Sequence, residues 1–210
     1  MLKKKLYTVD EANNLTIKEV QNLYKEFINP NQTKIYSSLP FGNDLFDRAE
    51  GVFIYTSEGK KILDFTGGLG VLGLGHNHPR IINVRLAFQE KNKLEVHKII
   101  FSKYMAALSS SISSLLSENL TKSFFLNSGA EAVEAAIKVS FKSFSGKKKN
   151  ILYSNKSYHG KLIGSGSVSG SYKINNQFPS MGNCFDFKFN NPDDLEKNVI
   201  KYHEHGGIYA

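Results

Sequence analysis

Four small residues between an apolar run and a helical pattern are the best candidates for anion binding. Residues 124–138 read FFLNSGAEAVEAAIK, which predicts a buried strand over 124–126 followed at once by a helix. The first helical turn would present unpaired N–H groups at the positive end of the helix dipole. Gly129 would let a ligand approach the backbone, and the Ser128 hydroxyl could add a hydrogen bond. The segment therefore predicts a phosphate site, although an N-cap at Ser128 and small residues chosen for close packing would explain it as well.

A second segment, SNKSYHGK at 154–161, also follows a predicted strand directly. In a parallel sheet, Tyr158 and His159 would then lie at the same carboxyl edge as Ser128. The tyrosine ring could stack on a planar group, and Gly160 would keep the backbone clear of it. Taken alone, Tyr-His-Gly is also typical of a simple turn. Beside an anion-binding helix start, it predicts a planar phosphorylated ligand.

The chain resembles the class III, or ornithine-type, aminotransferases, which use pyridoxal 5'-phosphate on the fold-type I scaffold. The likeness covers about residues 40–210 and is carried by the order and spacing of GVFIYTSEGKKILDFTGGLGVLGLGHNHPR, FFLNSGAEAVEAAIK and SYHGK. It implies that the backbone of Ser128, Gly129 and Ala130 holds the cofactor phosphate. It also implies that Tyr158 stacks on the cofactor ring, with His159 beside it.

The same resemblance implies amino transfer from an amino acid, ω-amino acid or diamine to an oxo acid, by a homodimer. Family members acting on ornithine-like substrates often have arginine after His-Gly, where this chain has Lys161, a point charge without the bidentate fork. Lysine also occurs at this position in family members that act on diamines, so the resemblance favours a diamine or ω-amino substrate, unless Lys161 is only a surface residue. Related enzymes on the scaffold catalyse intramolecular amino shifts, decarboxylation or racemisation, and these alternatives stay open.

The resemblance places the Schiff-base lysine and the aspartate that pairs with the pyridine nitrogen beyond Ala210. The pattern also predicts a strand beginning at Ile208, close to the last residue. We therefore expect a truncated chain that carries no catalytic residue and is inactive by itself.

The predicted fold is α/β, with residues 1–95 forming an N-terminal helix and small α+β subdomain. Residues 96–210 would begin the large, mostly parallel-sheet, cofactor-binding domain. A capping box at Thr16 and Glu19 predicts a helix over 17–27, and Gly59 predicts a hairpin over 51–65. Further helices are predicted over 79–91, 98–117, 129–146 and 192–205, strands over 150–154 and 184–189, and a flexible segment over 164–171. The helix over 98–117 is predicted to carry an apolar stripe of Phe101, Met105, Leu108, Ile112 and Leu115. On the helix over 129–146, Glu134 is predicted to pair with Lys138 at i, i+4, on the face opposite its apolar residues.

Composition excludes several other classes of protein. The net charge of +8 comes mainly from lysines spread along the chain, which favours a solvated surface over nucleic-acid binding, although a non-catalytic basic binding module remains an alternative. No apolar run is long enough to cross a membrane. The single cysteine, Cys184, fits a reducing, cytoplasmic location.

Two local motifs suggest other ligands but lack the context that those ligands require. Residues 68–73, GLGVLG, match a dinucleotide-binding fingerprint, yet the next predicted helix begins only at Pro79. The pair His76 and His78 has no neighbouring carboxylate or thiol in sequence, so a turn capping that helix is favoured over a metal site.

Overall fold

The computed structural model describes residues 5–95, 99–170 and 179–210. The chain divides into two compact units, Met1–Ile100 and Phe101–Ala210. Among the described residues no helix is long and apolar enough to span a membrane.

Unit 1 combines short helices with a three-stranded antiparallel sheet in the order β1-β2-β3. Thr16 and Glu19 form the predicted capping box of the second helix, and Gly59, with φ 82°, lies in the turn of the predicted hairpin. Both predictions are confirmed. The strands are β1 Phe46–Glu50, β2 Phe53–Thr56 and β3 Lys61–Leu63. The helices are α1 Val9–Asn13, α2 Ile17–Leu23, α3 Pro30–Ser37, α4 Gly67–Gly70 and α5 Pro79–Glu90, and a π-helical turn, Tyr24–Ile28, continues α2.

Unit 2 is built around a parallel strand pair. Its strands are β4 Ile151–Ser154 and β5 Cys184–Phe187, and its helices are α6 Lys103–Ser113, α7 Gly129–Ser143, α8 Ile163–Ser167 and α9 Pro192–Glu204. β5 pairs along one edge of β4. Ile208 bridges Asn150 in parallel at the other edge, where the sequence predicted a further strand. The parallel α/β arrangement is the one expected.

The core of unit 2 lies where α7 and α8 cover the strands. Ile137 of α7, Ile151 and Tyr153 of β4, and Val168 after α8 are its buried apolar residues. Residues 164–170, predicted to be flexible, are instead among the most buried of the unit, and residue 171 lies outside the described ranges. The reason is size: glycine and serine side chains let α8 come close to α7.

Two other predictions of unit 2 were wrong in part. Residues 124–126 form no strand, because no neighbouring strand pairs with them in the described part of the chain, and Phe124 is exposed. The helix predicted over 98–117 is α6, Lys103–Ser113, and residue 98 lies outside the described residues. The apolar stripe predicted for it is largely exposed, as Met105 and Leu108 illustrate.

Candidate functional site

The start of α7 provides backbone donors next to open space. Ser128 is the N-cap, and its Oγ accepts a hydrogen bond from the backbone N–H of Glu131 at 3.2 Å. The Glu131 carboxylate in turn accepts from the backbone N–H of Asn127 at 2.8 Å. Among the described residues, the N–H groups of Gly129 and Ala130 have no hydrogen-bond partner, as expected for the first two positions of a helix. Nothing lies within 4 Å of the place where a Cβ on Gly129 would stand.

The turn after β4 packs directly on this helix start. Gly160 adopts φ 118°, and a Cβ built on it would lie 2.5 Å from the Cβ and 3.0 Å from the Cα of Ala130. Only glycine fits between the turn and the helix at this distance. The two segments that the sequence predicted at one sheet edge are therefore neighbours.

The predicted site residues occupy both sides of this contact. Ser128, Gly129 and Ala130 open α7, while Tyr158, His159 and Lys161 surround Gly160 on the turn. Tyr158 is 64% exposed, so its side chain is accessible to a ligand. His159 and Lys161 are also exposed. Their roles toward a ligand remain predictions.

Three polar residues that the sequence did not assign to the site support the turn from behind. The backbone N–H of His159 donates to Ser169 Oγ at 2.8 Å, and that of Leu162 donates to Ser165 Oγ at 3.2 Å. Glu134 Oε1 accepts from the backbone N–H of Ser165 at 2.8 Å. The i, i+4 spacing had predicted that Glu134 pairs with Lys138 on an exposed face; it is instead half-buried, against α8. Serines in a glycine-serine run gave no sequence signal for this role.

The glycine-rich loop of unit 1 is closed by a carboxylate. Asp64 accepts hydrogen bonds from Thr66 Oγ1 at 2.7 Å and from its backbone N–H at 2.8 Å, from the backbone N–H of Gly67 at 3.0 Å, and lies 2.8 Å from His76 Nε2. The hydroxyl of Thr66, the His76 ring and the backbone N–H groups hold the pKa of Asp64 well below its usual range. These contacts fix both ends of the loop.

That geometry does not match dinucleotide binding. The four-residue α4 at the glycines has left-handed backbone angles at Gly68 and Leu69, and the long helix begins only at Pro79. The glycines of this loop therefore do not open a right-handed helix, as dinucleotide binding requires. The preceding strand, β3, is antiparallel to its neighbour. Within the described ranges, no group of three or more potential metal ligands is present.

The chain matches known proteins over most of its length. The model of the class-III aminotransferase family matches residues 41–205. The chain is 34% identical over 164 residues to a probable mitochondrial acetylornithine aminotransferase of Schizosaccharomyces pombe, covering 72% of this chain and 36% of that protein. It is 36% identical over 168 residues to the acetylornithine aminotransferase of Aquifex aeolicus, covering 77% of this chain and 43% of that protein. The chain thus spans less than half the length of these relatives.

The fold matches solved transaminases as well. The ornithine aminotransferase of Toxoplasma gondii, whose description reports partial occupancy of pyridoxal 5'-phosphate at its active site, superposes with a TM-score of 0.74 at 18% identity. The match covers 99% of this chain and 48% of that one. At this identity the likeness establishes the fold, which is fold-type I. Together with the sequence match over residues 41–205, it identifies the chain as a member of the class-III aminotransferase family.

Proposed function

We propose that residues 101–210 bind pyridoxal 5'-phosphate and form part of a transaminase that moves an amino group from an amino acid, ω-amino acid or diamine to an oxo acid. The observation that carries this proposal is the contact between Gly160 and Ala130, since it joins an anion-binding helix start to an exposed tyrosine ring. Neither half alone distinguishes this cofactor from other ligands.

The residues present fit the cofactor. The backbone N–H groups of Gly129 and Ala130 can bind the phosphate dianion in front of the helix dipole. The Ser128 hydroxyl already accepts one hydrogen bond, so its own proton is available to the phosphate. The exposed ring of Tyr158 can orient the pyridine ring by stacking and exclude water from that face.

When bound, the cofactor supplies an aldehyde and an electron-withdrawing ring, with which an amino group is exchanged between two substrates. In our proposal, Lys161 binds a substrate carboxylate as a point charge, and His159 lies beside the cofactor ring. We also propose a cytoplasmic homodimer, the location supported by the single cysteine, Cys184, with neither nucleic acid nor a membrane as partner.

Binding of pyridoxamine 5'-phosphate tests the proposal. This compound lacks the aldehyde that would react with surface lysines, and pyridoxamine is its matched control without phosphate. Calorimetric titration of the 210-residue chain is expected to detect binding of pyridoxamine 5'-phosphate. Pyridoxamine is expected to bind at least roughly tenfold more weakly. Tyr158→Ala should weaken binding of the phosphorylated compound by roughly tenfold, while Lys147→Ala, in the exposed lysine cluster, should leave it unchanged.

Two results would contradict the proposal. Equal binding of the two compounds would show that the phosphate is not recognised. Binding that falls steeply with salt, is unaffected by Tyr158→Ala and is weakened by Lys147→Ala would instead favour the basic binding module. A second family reaction, such as racemisation or decarboxylation, would share the cofactor site and would be distinguished by product analysis of an active enzyme.

A further inference from the structure

Behind the turn that carries Tyr158 lies a cluster of hydroxyl groups, Ser157, Ser165 and Ser169, here called the serine clamp. Ser165 and Ser169 are fully buried, each with 0% exposure. A buried hydroxyl must be hydrogen-bonded to avoid a large desolvation cost. The partners of these hydroxyls are backbone groups of the turn, of β4, of α8 and of the segment that follows α8.

Ser169 contacts the turn at two successive residues. Its Oγ accepts the backbone N–H of His159 at 2.8 Å and lies 3.1 Å from the carbonyl oxygen of Gly160. The carbonyl of Ser165, at 2.8 Å, is the second possible acceptor of its proton. The hydrogen bond that Ser169 accepts holds the peptide group between Tyr158 and His159, and the Ser169 hydroxyl proton can also reach the carbonyl of Gly160.

The other two serines fix the ends of the turn. At the start, Ser157 Oγ lies 2.7 Å from the carbonyl of Val168 and accepts the backbone N–H of Gly170 at 3.2 Å. At the end, Ser165 Oγ accepts the backbone N–H of Leu162 at 3.2 Å. The turn is therefore held at Ser157, His159, Gly160 and Leu162. The side chains of Tyr158, His159 and Lys161 are nevertheless exposed.

The clamp is also connected to the proposed phosphate site. Glu134 of α7 accepts the backbone N–H of Ser165 at 2.8 Å, and Gly160 meets Ala130 in the first turn of the same helix. The helix, the clamp and the turn thus each contact the other two. Movement of the turn would break a hydrogen bond of a buried group.

We propose that Ser169 is a positioning residue, which holds the Tyr158 ring at a fixed place relative to the N–H groups of Gly129 and Ala130. This inference rests on the proposed cofactor function. Ser169 itself does not touch the ligand. It acts by limiting the turn to one conformation, so that the ring and the phosphate site are arranged before the cofactor binds.

The test compares Ser169→Ala with Ser167→Ala. Ser167 is a matched control because it is also buried and hydrogen-bonded, but its partners are the carbonyl of Ile163 and the backbone N–H of Met181, not the turn. Hydrogen exchange of the ligand-free chain measures the turn directly, and titration with pyridoxamine 5'-phosphate measures the consequence. Ser169→Ala is expected to speed exchange at residues 158–161 and to weaken binding, each by roughly tenfold. Ser167→Ala should do neither.

The outcomes separate this inference from the function on which it rests. Unchanged exchange at 158–161 in Ser169→Ala would overturn the positioning role, whatever the binding data show. Faster exchange with unchanged binding, or equal weakening by Ser167→Ala, would overturn it too. If the unsubstituted chain fails to bind pyridoxamine 5'-phosphate, the proposed function fails and the positioning role fails with it, while the exchange data still report whether the clamp restrains the turn.

Discussion

Gly160 lies between the two halves of the candidate site and has no side-chain carbon, so the methyl group added by Gly160→Ala would disturb the packing of both halves. The added methyl group would lie 2.5 Å from the Ala130 Cβ, 2.9 Å from Ser165 Oγ and 3.0 Å from the Ala130 Cα. The last of these is a backbone atom in a helix and cannot move alone. Overpacking of this kind costs about 1–3 kcal/mol, and the positive φ of 118° adds a further cost for an L-residue. We expect a total loss of roughly 3 kcal/mol in the free energy of unfolding of unit 2.

With a urea dependence of about 2 kcal/mol per molar, this loss lowers the unfolding midpoint by about 1–2 M. The assay is a urea titration in which unfolding of unit 2 is monitored at each concentration by pulsed hydrogen exchange of the peptide that carries β4. Gly129→Ala is the control, because its methyl group meets nothing within 4 Å and alanine suits a helix better than glycine. Its midpoint should be unchanged or higher. An unshifted midpoint for Gly160→Ala would refute the contact on which the site depends.

Two further substitutions test the supporting contacts. Glu134→Ala removes the acceptor of the Ser165 N–H and should destabilise unit 2 by about 1–2 kcal/mol in the same urea assay. The control, Lys138→Ala, should destabilise it by less than about 0.5 kcal/mol. Equal losses of stability would favour the ion pair between Glu134 and Lys138 that the spacing predicted. Asp64 has a lowered pKa in the folded chain, so its ionised carboxylate stabilises the fold above its ordinary pKa. This contribution to the free energy of unfolding is lost as pH falls below about 4 toward the folded-state pKa. As the pH is lowered from neutral to about 3, the midpoint temperature of thermal unfolding of unit 1 should therefore decrease less in Asp64→Asn than in the unsubstituted chain. Identical profiles of midpoint against pH would contradict the role assigned to the carboxylate.

Local signals in the sequence determined most elements and the residue types of the site. The capping box at Thr16 and the hairpin turn at Gly59 depend on contacts within a few residues, and both were predicted correctly. The N-cap at Ser128, which the sequence predicted as an alternative to a phosphate site, is also local and is present. The order of the two segments also predicted that the start of α7 and the turn after β4 lie close together, although the strand expected before Ser128 does not form. Family membership followed from the same segments.

Only the tertiary structure decided which small residues are buried. The run at 164–171 has the composition of a flexible linker, yet Ser165 and Ser169 are buried because the surfaces of α7 and the 158–161 turn meet there. Glu134 is directed to α8 rather than to Lys138 because an unpaired N–H at a helix start is a better partner than an exposed lysine. Residues 124–126 show the converse: strong strand residues form no strand without a neighbour to pair with. Hydrogen bonds and packing contacts between distant segments leave no periodic pattern or fixed spacing in the sequence, so only the folded structure shows them.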